Sequence, residues 1–322
     1  MYEPPRLTWR YTNTSEYLEA VRRGFPPMMI CVACNGGVQG KEYNAALPET
    51  AEEIADSVQA AYTSGASMVH VHARHPDNTT KGATRTEHWL EVNRLIRERC
   101  PDIIINNTTG GDYEMTMEER LSCLDARPEL ASLNLTPDMV KFRLKARPSP
   151  LPFPRSELEI DECLPFTYRL VSEFARKMQE RNVRPELEIY HPGGHWVIAD
   201  LIRQELIKPP YLIQTVMGVQ TTSYPTPEYL LNLLADLPDQ TVWLCSGVGV
   251  HQLNIVTMAV LMGGHARVGL EDNVYERRGK LLQSNAAAVE RIARIARDLN
   301  RDIATAAQAR AMLGLPATPS RY

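Results

Sequence analysis

No stretch of this sequence is apolar for long enough to cross a bilayer. The longest candidate, around residues 255–262, is far shorter than the roughly 20 residues a spanning helix needs. The first residues, MYEPPRLTWRYTNTSEY, are polar and aromatic and lack the apolar core of a secretory signal. Positive charge is not in excess: the formal net charge is −4, which leaves no polybasic surface for nucleic acid or an anionic membrane. Six cysteines scattered over 322 residues do not form a disulfide framework. No G-x-G-x-x-G follows the first strand-like segment, which weakens a dinucleotide-binding reading. A cytoplasmic, small-molecule protein is expected.

What is present is a rhythm. Short β-branched or apolar runs at 28–34, 68–74, 102–109, 131–136, 185–190, 211–217, 241–248 and 266–270 predict strands. Amphipathic stretches follow them at 49–64, 86–100, 117–126, 166–181, 195–207, 227–237, 251–262 and 284–300, and a last short helix at 306–313 reads as a terminal cap. Strands alternating with helices demand crossovers and a parallel sheet. Eight such pairs close most economically into a (β/α)₈ TIM barrel, here a single domain over 1–322; a doubly wound open sheet is the alternative. Residues 1–27 precede the rhythm as an N-terminal extension. Between the fourth strand and its helix lies a Pro-rich insertion, 138–165, expected to be an ordered loop or arm that contacts a partner subunit.

Chemistry-bearing residues gather at the predicted strand ends. In VHVHAR, His70 and His72 are two apart and share one strand face, a ready pair of metal ligands or two hydrogen-bonded histidines among buried polar groups. RVGLEDN puts Arg267 and Glu271 on one face with Asp272 entering the loop. A carboxylate there completes a His₂Glu site with an open position, or else simply pairs with Arg267. NNTTGG, with Asn107, Gly110 and Gly111, and SLNLTP, with Asn134, suit a bound carboxylate or a plain turn. GVGVHQ at 247–252 is Gly-rich ahead of a helix and suits a phosphate. Cys31 and Cys34 form a C-x-x-C on a strand, but an offset of three sends them to opposite faces, so a shared metal is not expected.

Taken together, VHVHAR, INNTTGG, SLN at 132–134, ELEIY at 186–190, GGHARVGLEDNVY, QSNAAAVERIARIA and RDIATAAQARAMLGL make the chain resemble the β-keto acid cleavage enzymes, over about 28–315. The resemblance implies a zinc-dependent barrel, tetrameric, that reacts a 3-keto acid with acetyl-CoA to give acetoacetate and a new acyl-CoA. It implies zinc on His70, His72 and Glu271, with Asp272 removing a substrate proton, Arg267 assisting, and Thr108 in the place of an assisting serine. Two departures alter the expected substrate. The type member, which cleaves 3-keto-5-aminohexanoate, has a glutamate for the substrate amine after its first strand, where this chain has Val38 and Gln39 in ACNGGVQ. It has another glutamate straight after the ELEIY tyrosine, where this chain has His191, followed by His195. A keto acid without an amino group is therefore expected. The other function classes weighed are a zinc aldolase or hydrolase on the same scaffold and a metal-containing barrel that only binds a ligand.

Overall fold

The computed structural model describes residues 13–111 and 114–322. Eight parallel strands close into a barrel: β1 (Ile30–Ala33), β2 (Met68–Val71), β3 (Ile104–Asn107), β4 (Leu130–Asn134), β5 (Arg184–Ile189), β6 (Tyr211–Met217), β7 (Thr241–Gly247) and β8 (His265–Val268). Each pairs with its successor, and β1 closes the ring on β8 with Cys31 opposite Arg267. The helices that follow are α1 (Ala51–Thr63), α2 (Thr86–Arg99), α3 (Met117–Asp125), α4 (Tyr168–Glu180), α5 (Gly194–Arg203), α6 (Pro227–Ala235), α7 (Gln252–Leu261) and α8 (Asn285–Asp298). Their starts are written locally. Thr50 with Glu53 and Thr116 with Glu119 form capping boxes, and Thr226 caps α6 with Pro227 in its first turn. Each such cap is worth ~1 kcal/mol.

Strand alternation sorts the core into two layers. Ile30, Val32, Val69, Val71, Ile105, Ala131 and Leu133 face outward and pack under the helices. Met29, Cys31, Met68, Ile104, Leu130, Leu212, Val242 and Leu244 face inward. The final helix, Ala306–Leu313, pushes Ala309, Met312 and Leu313 against that inner group and closes the floor. Cys31 lies in the inner layer and Cys34 in the outer one, as the strand period requires. Residues 1–12 of the N-terminal extension lie outside the described residues; the helix Thr14–Arg23 buries none of its side chains. Phe25 and Met28 do reach the barrel's lower end, Phe25 beneath Arg301 and Met28 bridged to Ile303. No helix among the described residues is long and apolar enough to cross a membrane.

The insertion is more regular than its proline content suggests. Asp138–Leu144 and Leu158–Leu164 form an antiparallel hairpin with Phe142 opposite Ile160 and Arg143 opposite Glu159. Four of its prolines lie in the connecting tip and Pro165 follows the second strand, so none deprives the ladder of a donor. The tip docks on the loop after β1 through Arg147, whose side chain is fully buried. Its guanidinium grips both oxygens of Glu49 (2.7 Å each) and Oε2 of Glu42 (2.7 Å). Near the hairpin's base, Thr221 and Gln220, from the loop after β6, hold the backbone of Met139 and Lys141. The arm thus bridges loops from three separate sectors of the barrel's upper rim. Arg147→Ala leaves the buried Glu49 without its arginine, while Glu42 keeps Arg155 at 3.0 Å, and is expected to cost about 3–5 kcal/mol in urea unfolding, the scale of breaking a buried pair. A loss below about 1 kcal/mol would mean the arm is not anchored there.

Candidate functional site

The site is assembled from the C-terminal ends of β2 and β8. Pairing of β2 stops at Val71, but Asn35 extends the strand: its Nδ2 donates to the His72 carbonyl (2.7 Å), and its Oδ1 accepts from the His72 N–H (3.1 Å). His70 and His72 therefore project together into the barrel. Glu271 comes to them by a turn rather than along a strand. Gly269 makes the turn at φ +144°, where a Cβ would lie 2.1 Å from the Ala33 carbonyl, so only glycine fits. Beyond it the Glu271 N–H bonds the same carbonyl (3.2 Å), and Gln39 Nε2 donates to the Glu271 carbonyl (2.5 Å). Arg74 staples the loop after β1 by donating to the carbonyls of Gly37 and Gln39 (3.1 and 2.8 Å).

The three side chains meet. His70 Nε2 and His72 Nε2 are 3.3 Å apart, and Glu271 Oε1 lies 3.5 Å from the first and 3.3 Å from the second. A tetrahedral zinc with bonds of 2.0–2.1 Å has donor–donor edges of ~3.3–3.4 Å, so this triangle is one face of such a site. Burial holds His70 well below the ordinary imidazole range, leaving it neutral, as a metal ligand must be. Burial raises Glu271, but Arg267 and the two imidazoles outweigh it and keep the carboxylate ionised. Its Oε2 is buried without a hydrogen-bond partner. Charge balance points the same way. Glu186, Glu188, Glu271 and Asp272 crowd the upper barrel, and among the described residues Arg267 is the one arginine or lysine paired with them. Even with Glu188, raised to about 8, protonated at neutral pH, three carboxylates share one guanidinium, an excess that a divalent cation would offset. The residues present fit a metal ion.

Beside this triangle Arg267 and Asp272 form a two-bond pair, Nε to Oδ2 (3.0 Å) and Nη2 to Oδ1 (2.9 Å), and the same Nη2 donates to Glu271 Oε1 (2.7 Å). Both partners are buried. Burial pushes Asp272 up to about 6 against the pull of Arg267. The Gly-rich turn after β7 is tied to this pair, since the Gly249 N–H donates to the Asp272 carbonyl (2.7 Å).

Other residues expected from the sequence divide. Thr108 is buried; its Oγ1 accepts from Gly110 N–H (2.9 Å) and lies 3.5 Å from Ser132 Oγ. Gly111 packs on Gly37, where a Cβ would fall 2.5 Å from the Gly111 carbonyl and 3.1 Å from His72 Nδ1. Asn134 ends β4 on the inward face it shares with Ser132. Asn107 is the correction. Its side chain leaves on the helix side and donates to the Cys123 carbonyl of α3 (3.3 Å), because the inward position of β3 belongs to Asn106. His191 Nδ1 accepts from Gly193 N–H (3.1 Å), while His195 starts α5 and is half-buried.

Three inward residues were not singled out from the sequence: Asn106, Glu186 and Glu188. Glu186 Oε2 accepts from Asn106 Nδ2 (2.6 Å) and stands 3.8 Å from His70 Nδ1. Glu188 accepts from Gln214 Nε2 and the Tyr190 hydroxyl (3.2 Å each), and burial with the neighbouring Glu186 charge pushes it up to about 8. The available signal was two acids at alternate positions of ELEIY, an otherwise apolar buried strand.

Comparison with known proteins gives a consistent result. The family model for beta-keto acid cleavage enzymes matches residues 27–315. The 3-keto-5-aminohexanoate cleavage enzyme of Fusobacterium nucleatum is 36% identical over 289 residues, 89% of this chain and 98% of that protein. The 3-oxoadipate:acetyl-CoA acetyltransferase of Cupriavidus necator is 32% identical over 90% of this chain and 95% of its own length. Among solved structures, the apo structure of ObcA superposes with a TM-score of 0.62 at 19% identity, covering 84% of this chain and 66% of that one, which supports the barrel fold alone.

Proposed function

This chain belongs to the β-keto acid cleavage enzyme family, and on that premise we propose that it is a zinc-dependent enzyme converting a 3-keto acid and acetyl-CoA to acetoacetate and a new acyl-CoA. The observation that carries the reading is the triangle of His70, His72 and Glu271 at tetrahedral spacing beside the buried Asp272–Arg267 pair. His70, His72 and Glu271 hold the zinc. When bound it supplies a Lewis acid that polarises the keto group.

Asp272 takes the proton from C2 of the keto acid, positioned by its two bonds from Arg267. The C2 carbanion attacks the acetyl thioester, forming the new carbon–carbon bond and releasing CoA thiolate. The thiolate attacks C3, the C2–C3 bond breaks with its electron pair left on C2, and Asp272 returns its proton to that carbon, so that acetoacetate and the new acyl-CoA leave and the carboxylate is regenerated. Arg267, with its Nη1 buried and without a hydrogen-bond partner, has a donor left for developing negative charge. Thr108, Gly110, Gly111 and Asn134 line the substrate's side of the site, and Asn107 has no part in it.

The side group is not an ammonium in this reading. The Gln39 amide is spent on the Glu271 carbonyl, Val38 is apolar, and Glu42 and Glu49 are committed to Arg147 and Arg155. Homotetramer assembly and a cytoplasmic location belong to the same proposal; exposed Trp196, Tyr224 and Tyr229 support a subunit contact.

The test is a panel of 3-keto acids with acetyl-CoA, following acetoacetate and acyl-CoA by mass spectrometry. Turnover is expected only with both substrates present. The 5-amino substrate should have kcat/KM at least about tenfold below the best neutral or anionic one, the effect of ~1.4 kcal/mol. Ester or aldol turnover with no acyl-CoA from any keto acid would move the protein to another zinc-barrel chemistry.

A further inference from the structure

Glu186 is a buried carboxylate that the proposed chemistry leaves unexplained. It lies on β5 with no solvent exposure and is not one of the three converging donors. One oxygen, Oε2, accepts from Asn106; the other has no partner. An ionised carboxylate left this way costs several kcal/mol unless something nearby favours the charge.

The counterpart is His70. Its Nε2 faces His72 and Glu271 and must present a lone pair to a metal there, which places the ring proton on Nδ1. That Nδ1 is buried and has no hydrogen-bond partner, and Glu186 Oε2 is 3.8 Å away. A donor without an acceptor thus confronts, out of contact with solvent, a carboxylate oxygen that holds one hydrogen bond and has a lone pair to spare. Asn106, the strand-register neighbour of His70, holds the carboxylate at the required place by donating to the same oxygen at 2.6 Å.

We propose that Glu186 is a positioning residue for the metal: its carboxylate accepts the Nδ1–H of His70, fixing the tautomer and ring orientation and raising the basicity of Nε2. The inference rests on the metal reading above and extends it beyond the three ligands. The 3.8 Å separation exceeds hydrogen-bond length, and a bound cation that drew the ring into line would close it. Asn106 acts through Glu186. Glu188, two positions along and equally inward, makes the natural comparison, because its oxygens are occupied by Tyr190 and Gln214 and it contacts no imidazole.

The experiment measures zinc affinity by chelator competition for the parent, Glu186→Gln, Glu186→Ala and Glu188→Gln, with far-UV circular dichroism to confirm folding. Affinity is expected to fall about 10–100-fold in both Glu186 variants and to stay within about threefold in Glu188→Gln. Equal affinity in parent and Glu186→Ala would overturn the assignment. So would a Glu188→Gln loss as large as that of Glu186→Gln, which would reduce the effect to net charge. In the zinc-loaded parent, NMR should show a downfield, exchange-protected imidazole N–H assigned to His70 Nδ1; its absence overturns the proposal even where the alanine variant does not fold. A parent that binds no zinc instead overturns the metal reading itself, so the two failures are distinct.

Discussion

Asp272→Asn is expected to keep zinc at the parent's stoichiometry and lose about 10²-fold or more in kcat, the scale of a positioned general base. The substitution is nearly isosteric, so its effect is chemical. The introduced amide can still accept one hydrogen bond from Arg267, but it cannot take a proton from C2. The metal triangle should persist, because Asp272 is not among its donors and Glu271 keeps its own bond from Arg267 Nη2 at 2.7 Å. Steady-state rates with the best keto acid, set beside metal content by elemental analysis, separate the two effects. Undiminished kcat would remove Asp272 from its role; a parallel loss of metal would show that the Arg267–Asp272 pair is structural. A ligand-binding barrel without catalysis would show no rate to lose.

The second large effect is removal of the imidazoles. His70→Ala with His72→Ala should reduce bound metal from near one per chain to background and bring acyl-CoA formation with it. Two of the three protein donors vanish, and a single carboxylate shared with Arg267 does not retain a divalent ion. Thermal unfolding gives a second readout. Added zinc should raise the parent's Tm, since a ligand bound only by the folded state stabilises it by mass action, and should leave the double variant unchanged. Full metal occupancy in the double variant would place the cation elsewhere.

Much of this site is legible in the sequence because strand alternation is a local rule. VHVHAR places His70 and His72 on one face wherever β2 lies, and the inward Cys31 and outward Cys34 follow from the same period. Phase is harder where neighbours are alike. In IINNTT both asparagines suit the interior, and the choice of Asn107 over Asn106 failed because nothing local distinguishes them; Asn106 is inward because it meets Glu186 across the barrel. The insertion is an ordered arm, as expected, but its hairpin was hidden for a related reason. Its prolines dominate the composition, but they fall in the tip and just after the second strand, and the ladder between depends on cross-strand pairs such as Phe142 and Ile160.

By itself, then, the sequence determined the periodic order of eight strands and helices, the helix caps, and which residues of each strand share a face. These depend on backbone geometry over a few residues. Tertiary structure alone decided that β8 closes on β1 beside β2, so that Glu271 meets two histidines remote in the chain, and that Glu186 stands behind His70. Convergence of that kind depends on the closure and register of the whole ring, which no local pattern carries.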